Sequence, residues 1–212
     1  MPARAAAVAG QLDKTLTPSQ QAAHRGGFFI GESMTVITAE KAGGANVCAF
    51  LDMLGWSEGT VQVPGSDDGY NVLVGGTLFT GYTDHPRVSV PLPRYGIRST
   101  AAGRYQFLSR TWDSIVRIYG FRGRFIPEAQ DLAAIKLLQE CGAYPLIQQG
   151  KITEAIQLAA PIWASLPGAG YGQREHRLAK LLEIYADERA AEAQPEEQLL
   201  AVYTGCGGEV AC

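Results

Sequence analysis

The chain has 212 residues, 46% hydrophobic and 18% charged, a balance that fits a folded core and excludes a largely disordered protein. A net charge of -3 argues against a dedicated nucleic-acid binder. No stretch approaches the roughly 20 apolar residues of a membrane span.

Residues 1–43 have little periodicity and many Gly, Ala, Ser and Thr. They read as a poorly ordered leader, with one weak helix at most. Gln11, Asp13 and Lys14 interrupt the apolar stretch that a secretory signal needs. Met34 is an alternative start, which would make the first 33 residues a long leader or an over-extended reading frame.

From Asn46, read as an N-cap, the pattern becomes helical: Val47, Phe50, Leu51 and Leu54 share one face of a helix expected over 47–58. Residues 60–100 read as turns and short strands, with β-favouring runs at 70–76, 77–86 and 87–92. A second helical pattern covers "AAGRYQFLSRTWDSIVRIYG", in which Tyr105, Leu108, Trp112, Ile115 and Tyr119 can share a face and Gly120 stops the run. Pro127 and Glu128 suit the first turn of a helix to about Cys141. "KITEAIQLAAPIWASLPG" is a further helix with a kink expected at Pro161, and "GQREHRLAKLLEIYADERAAEA" a long last one. The fold class is therefore α+β and predominantly helical, with a small β region between the first helices. The expected division is a leader at 1–43, one domain at 44–190 and a tail at 191–212.

The four cysteines, Cys48, Cys141, Cys206 and Cys212, match neither a zinc spacing nor a dense disulfide framework. Cys48 and Cys141 read as buried thiols, and a Cys206–Cys212 bridge stays open. The three histidines, His24, His85 and His176, are scattered, and no HExxH, Walker or dinucleotide motif occurs. No metal and no cofactor is expected, and Ser57 lacks the elbow of a serine nucleophile.

Attention falls on the carboxylate in "FLDMLGWSEGT". Glu58 closes the helical face eight residues after Phe50. Partial burial and a helix C-terminus both disfavour its anion, which suits a general acid, although most glutamates at helix ends are simply solvated. Tyr70, Tyr82, Tyr105, Trp163 and Tyr171 offer aromatic platforms for sugars, with core packing favoured for Trp112 and Trp163. Arg104 and Gln106 flank Tyr105 and could donate to acetamido or carboxylate groups, with plain surface placement an equal reading. Asp67, Asp68 and Asp84 are candidates for a second carboxylate, in turns where Asp is common anyway.

Four blocks, "AFLDMLGWSEGT", "GYNVLVGGTLFTGYTDHPR", "STAAGRYQFLSRTWD" and "IWASLPGAGYGQREH", closely resemble, in order, the phage lambda endolysin family of lytic transglycosylases. The resemblance covers about residues 34–187 and implies a lysozyme-like fold with a substrate cleft. It implies cleavage of the β-1,4 bond between N-acetylmuramic acid and N-acetylglucosamine in peptidoglycan, through one glutamate matching Glu58 and without a paired carboxylate. The product would be a 1,6-anhydro end. Tyr105, Gln106, Tyr171 and Gln173 match residues expected along the cleft, with Tyr70, Tyr82 and Arg104 assigned to substrate binding beside them. His85, in the "DHPR" block, is expected to be structural.

One departure is the loop "VQVPGSDDG", shorter and more acidic than the family's basic version; Asp67 or Asp68 would raise the Glu58 pKa if close to it. A hydrolytic muramidase acting on the same bond stays open, as does a non-catalytic wall-binding or virion protein. A cleft for a chain-like polymer needs no symmetry partner, so a monomer is expected, and without a clear signal the chain is expected in the host cytoplasm, without direct membrane insertion. It would reach peptidoglycan in the periplasm after a separate holin-like pore forms.

Overall fold

In the computed structural model, residues 35–121, 124–170, 172 and 175–205 are described, with side chains as far as residue 192. Helix α1 is a single turn, Ala39–Ala42, capped by Thr38. Helix α2, Ala45–Ser57, carries Val47, Cys48, Phe50, Leu51, Met53 and Leu54 in full burial, so it is covered on all sides rather than along one stripe. Asn46 does not cap it. Gly44 holds that position, and the Asn46 side chain instead donates to the Gln148 carbonyl and accepts from Arg189 Nε.

Residues 35–43, expected in the leader, pack on the core through Ile37 and Ala42. Ile37 is buried, and the Val36 and Ile37 amides donate to Asp131 Oδ2 at 3.1 and 3.0 Å. The expected leader up to residue 34 lies outside the described residues.

The β region is smaller than the sequence suggests. Strands β1, Val90–Leu92, and β2, Ile97–Ser99, pair antiparallel with Leu92 opposite Ile97, joined by a 3₁₀ turn at Pro93–Tyr95. The runs at 70–76 and 77–86 contribute only isolated bridges, such as Val72 with Leu78. Repeated glycines with positive φ, at Gly69, Gly75, Gly76 and Gly81, keep turning the chain before a ladder can extend.

Residues 101–108 are not helical, and α3 begins only at Ser109 (Ser109–Tyr119). Ala102 and Phe107 exchange backbone hydrogen bonds across a tight loop in which Gly103 and Gln106 have φ of 80° and 51°. An added Cβ at Gly103 would collide with Gln130 Oε1, the atom that accepts from the Arg104 amide. Gly103→Ala should therefore lower stability by about 2–3 kcal/mol in urea titration, from backbone strain and overpacking together; an unchanged midpoint would contradict it.

Helix α4, Pro127–Glu140, opens on its proline as expected, and Tyr144–Gln148, α5, is a short helix without an expectation in the sequence. Helix α6, Ile152–Ala159, stops with Ala160 as its C-cap, so Pro161 follows the helix and does not kink it. Helix α7, Leu178–Gly205, passes through Pro195, where a tail was expected, and packs chiefly against α2.

The aromatic centre is Phe107, Trp112 and Phe125, with Trp112 and Phe125 edge-to-face at 4.7 Å. Trp112 and Trp163 are core residues, and Trp163 Nε1 donates to the Tyr105 carbonyl. Cys48 is buried and Cys141 half-buried, both as free thiols. Cys206 and Cys212 lie outside the described residues.

Candidate active site

The end of α2 places the acid. Glu58 is the C-cap, its amide still donating to the Leu54 carbonyl at 2.9 Å, and Gly59 then takes φ 73° to turn the chain away. That left-handed turn leaves the Glu58 side chain at the rim of a cavity of about 320 Å³. Trp56, Ser57, Gly59 and Gln62 line it from α2 and the following loop; Tyr95 comes from the hairpin turn, Ser165 and His176 from the segments flanking residues 166–175.

Glu58 is largely buried and accepts from Ser165 Oγ at 2.7 Å. Burial pushes its carboxyl up to about 7, against the pull of the Ser165 bond. The expected charge of the acidic loop is not the cause. Asp67 instead accepts from the Tyr82 hydroxyl at 2.6 Å. Among the described residues lining the cavity, Glu58 is the sole carboxylate.

The far wall is braced. Glu175 accepts from the Gly168 and Gly170 amides, each at 2.9 Å. His176, expected inside the last helix, precedes it. Its amide donates to the Ser165 carbonyl, and its Nε2 lies 3.0 Å from the Ser57 carbonyl, which can only accept, so that nitrogen carries the proton. Its ring rests 4.8 Å from that of Trp56.

Three residues expected along the cleft are interior. Tyr70 and Tyr105 are each 1% exposed, and both hydroxyls donate to Asp131 Oδ1 at 2.7 Å. Arg104 is wholly buried, paired with Asp52 at 2.6 Å and donating to the Asp68 carbonyl. Burial pushes Asp52 up to about 8, opposed by that guanidinium. A sealed side chain offers no face to a sugar, and these three instead tie the loop after α2 to the core.

Gln106 folds back on its own turn, donating to the Val72 and Gly103 carbonyls, and Tyr82 is held by Asp67. Neither lines the cavity at Glu58. Tyr171 and Gln173 lie outside the described residues. His85 is buried, with Nδ1 accepting from the Arg87 amide and Nε2 bound to the Phe107 carbonyl, as a structural residue should be.

Sequence reasoning singled out none of Trp56, Gln62, Tyr95, Ser165 or His176, although Tyr95 and Ser165 lie in the segments "RVSVPLPRYGIR" and "SLPGAGYGQR", which by resemblance match two loops that line or close over the cleft. Four of these five fall within or beside the blocks quoted above, but only folding brings 165 and 176 back to 58. A second hollow of about 340 Å³ lies between α3 and α4, and its carboxylate, Glu140, is held by the Tyr119 hydroxyl.

A predominantly helical α+β fold with a small antiparallel hairpin, and a glutamate at a helix end beside a cavity, fits the class of lysozyme-like, glycan-cleaving enzymes. The chain belongs to the endolysin family, whose sequence pattern matches residues 48–192. It is 51% identical over 142 residues to the endolysin of Escherichia phage lambda, covering 66% of this chain and 88% of that protein. The endolysin of Escherichia phage P2 is 45% identical over 150 residues, covering 66% and 90%. Bacteriophage lambda lysozyme complexed with a chitohexasaccharide superposes with a TM-score of 0.65 at 47% identity, covering 68% of this chain and 94% of that one. A second lambda lysozyme structure gives 0.62 at 46% identity, with the same coverage.

Proposed function

We propose that Glu58 is the catalytic acid of this endolysin, a lytic transglycosylase that cleaves the β-1,4 bond between N-acetylmuramic acid and N-acetylglucosamine in peptidoglycan. The observation that carries the reading is one largely buried carboxyl, held near pKa 7 on a cavity wall without a carboxylate neighbour. Most glycosidases pair two carboxylates, one of them to activate water or attack the sugar. A single glutamate instead suits a reaction whose nucleophile is already in the substrate. Glu58 gives its proton to the glycosidic oxygen and frees the N-acetylglucosamine end. As a carboxylate it then takes the proton from the muramyl C6 hydroxyl while that oxygen bonds to C1, with the neighbouring N-acetyl group assisting there. The strand is left with a 1,6-anhydro end, and no water is consumed.

Among the described residues no helix is long and apolar enough to cross a membrane. The enzyme acts as a monomer made in the host cytoplasm and meets peptidoglycan in the periplasm after a separate holin-like pore opens. Mass analysis of muropeptides from walls treated with wild type and Glu58→Gln tests the chemistry. Wild type should leave fragments lighter by one water than hydrolytic ends and the variant almost none. Reducing muramic acid ends would instead mark a hydrolase.

A further inference from the structure

Behind Glu58 four oxygens stand in line. Glu58 Oε1 is 2.7 Å from Ser165 Oγ, which is 3.0 Å from Ser57 Oγ, and Ser57 Oγ is 2.9 Å from the Leu54 carbonyl. Both serines are buried, at 9% and 4% exposure, so water is a poor substitute for any link. Each hydroxyl has one hydrogen to give. With Glu58 ionised, two hydrogens serve three contacts, and one contact is always empty. A third hydrogen, on Oε1, fills all three in one direction, from Glu58 to Ser165, Ser165 to Ser57, and Ser57 to Leu54.

When that proton leaves, Ser165 swings to donate to the carboxylate, and Ser57 must either turn toward Ser165 or stay on Leu54. The Leu54 oxygen is never orphaned, because it also accepts from the Glu58 amide at 2.9 Å. His176 holds the backbone of both serines, with its amide on the Ser165 carbonyl and its Nε2 on that of Ser57.

We propose that Ser57 is a positioning residue that acts through Ser165 to favour the proton-bearing form of Glu58, the two hydroxyls reversing direction when the proton departs. The inference rests on the reading of Glu58 as the acid. It assigns the two serines opposite effects. Without Ser57, Ser165 has only Glu58 left to donate to, which favours the carboxylate. Without Ser165, the carboxylate loses its donor, which favours the neutral acid. Among the described residues the other titratable groups facing the cavity are Tyr95 from the hairpin and His176 from the segment before α7, so the Glu58 carboxyl itself must be followed.

The test is a titration of the full chain carrying ¹³C-carboxyl glutamate, with the Glu58 signal identified by its loss in Glu58→Gln. Ser57→Ala should lower the midpoint by about half a pH unit or more, the size expected for one hydrogen bond redistributed. Ser165→Ala should raise it, and Ser57→Cys, with a weakly accepting sulfur, should fall between wild type and Ser57→Ala. The alkaline limb of kcat/KM should move in the same directions. A Ser57→Ala midpoint that is unchanged or raised overturns the proposal, as does a Ser57→Cys midpoint lying below it. The titration needs no turnover, so a failure here is separate from a Glu58→Gln protein that still lyses walls, which would overturn the assignment of the acid.

Discussion

Glu58→Gln should lose about a hundred- to ten-thousand-fold of lytic turnover, the range expected when a positioned general acid is removed, while becoming more stable than wild type above neutral pH. The second effect follows from linkage. The folded carboxyl titrates at about 7 and its ordinary value is 4.5, so between those values the native chain keeps a proton that the unfolded chain has released. The contribution is fully favourable below the ordinary value and is lost as pH rises through about 7. A glutamine side chain in its place has no proton to lose. The variant should match wild type near pH 4 and exceed it by on the order of 1–3 kcal/mol at pH 8, read from urea titrations at both values. Asp52 is also pushed up by burial, but it is present in both proteins and cancels in the difference. A gap that is the same at every pH would mean that Glu58 is solvated, and the acid would have to be sought elsewhere.

Local pattern was sufficient where one segment determines its own state. The helix ending at Glu58, the stop at Gly120 and the proline start of α4 all depend on residues within a turn of each other. It failed where backbone conformation was set by distant partners. Tyr105 and Leu108 look periodic with Trp112, yet Ala102 and Phe107 close a loop there, and Trp163 Nε1 holds the Tyr105 carbonyl. Asn46 looks like a cap because nothing nearby announces that Gln148 and Arg189 will claim its side chain.

The site divides in the same way. Glu58 could be singled out from helical spacing because its position at the helix end is set by its own helix. Ser165 could not, since a serine in a Leu-Pro-Gly turn has no local mark of chemistry and reaches Glu58 only through the return of the chain after α6. Polar aromatic residues misled for a related reason. A tyrosine looks the same in sequence whether its hydroxyl meets a sugar or a buried carboxylate, and here Asp131, also buried, was the missing partner.

Asp131→Ala should be among the most damaging substitutions in the chain. Asp131 Oδ1 accepts the hydroxyls of Tyr70 and Tyr105, and Oδ2 accepts the amides of Val36 and Ile37. Alanine strands the two hydroxyls and the Ile37 amide in the interior, while the Val36 amide keeps the Tyr70 hydroxyl as an acceptor; each stranded donor is worth roughly 1–3 kcal/mol, although the losses are not additive. A total of about 4 kcal/mol or more is expected in urea titration, together with faster amide exchange at residues 36 and 37. Asp131→Asn keeps one oxygen and turns an NH₂ toward the other pair of donors, so it should lose about half as much. Tyr70→Phe and Tyr105→Phe should each lower stability by about 1–2 kcal/mol and leave KM for glycan strands unchanged. A raised KM at full stability would instead return these two tyrosines to the cleft, where the sequence first suggested them. Burial at 1% leaves them no surface from which to act there, so the effect must fall on folding.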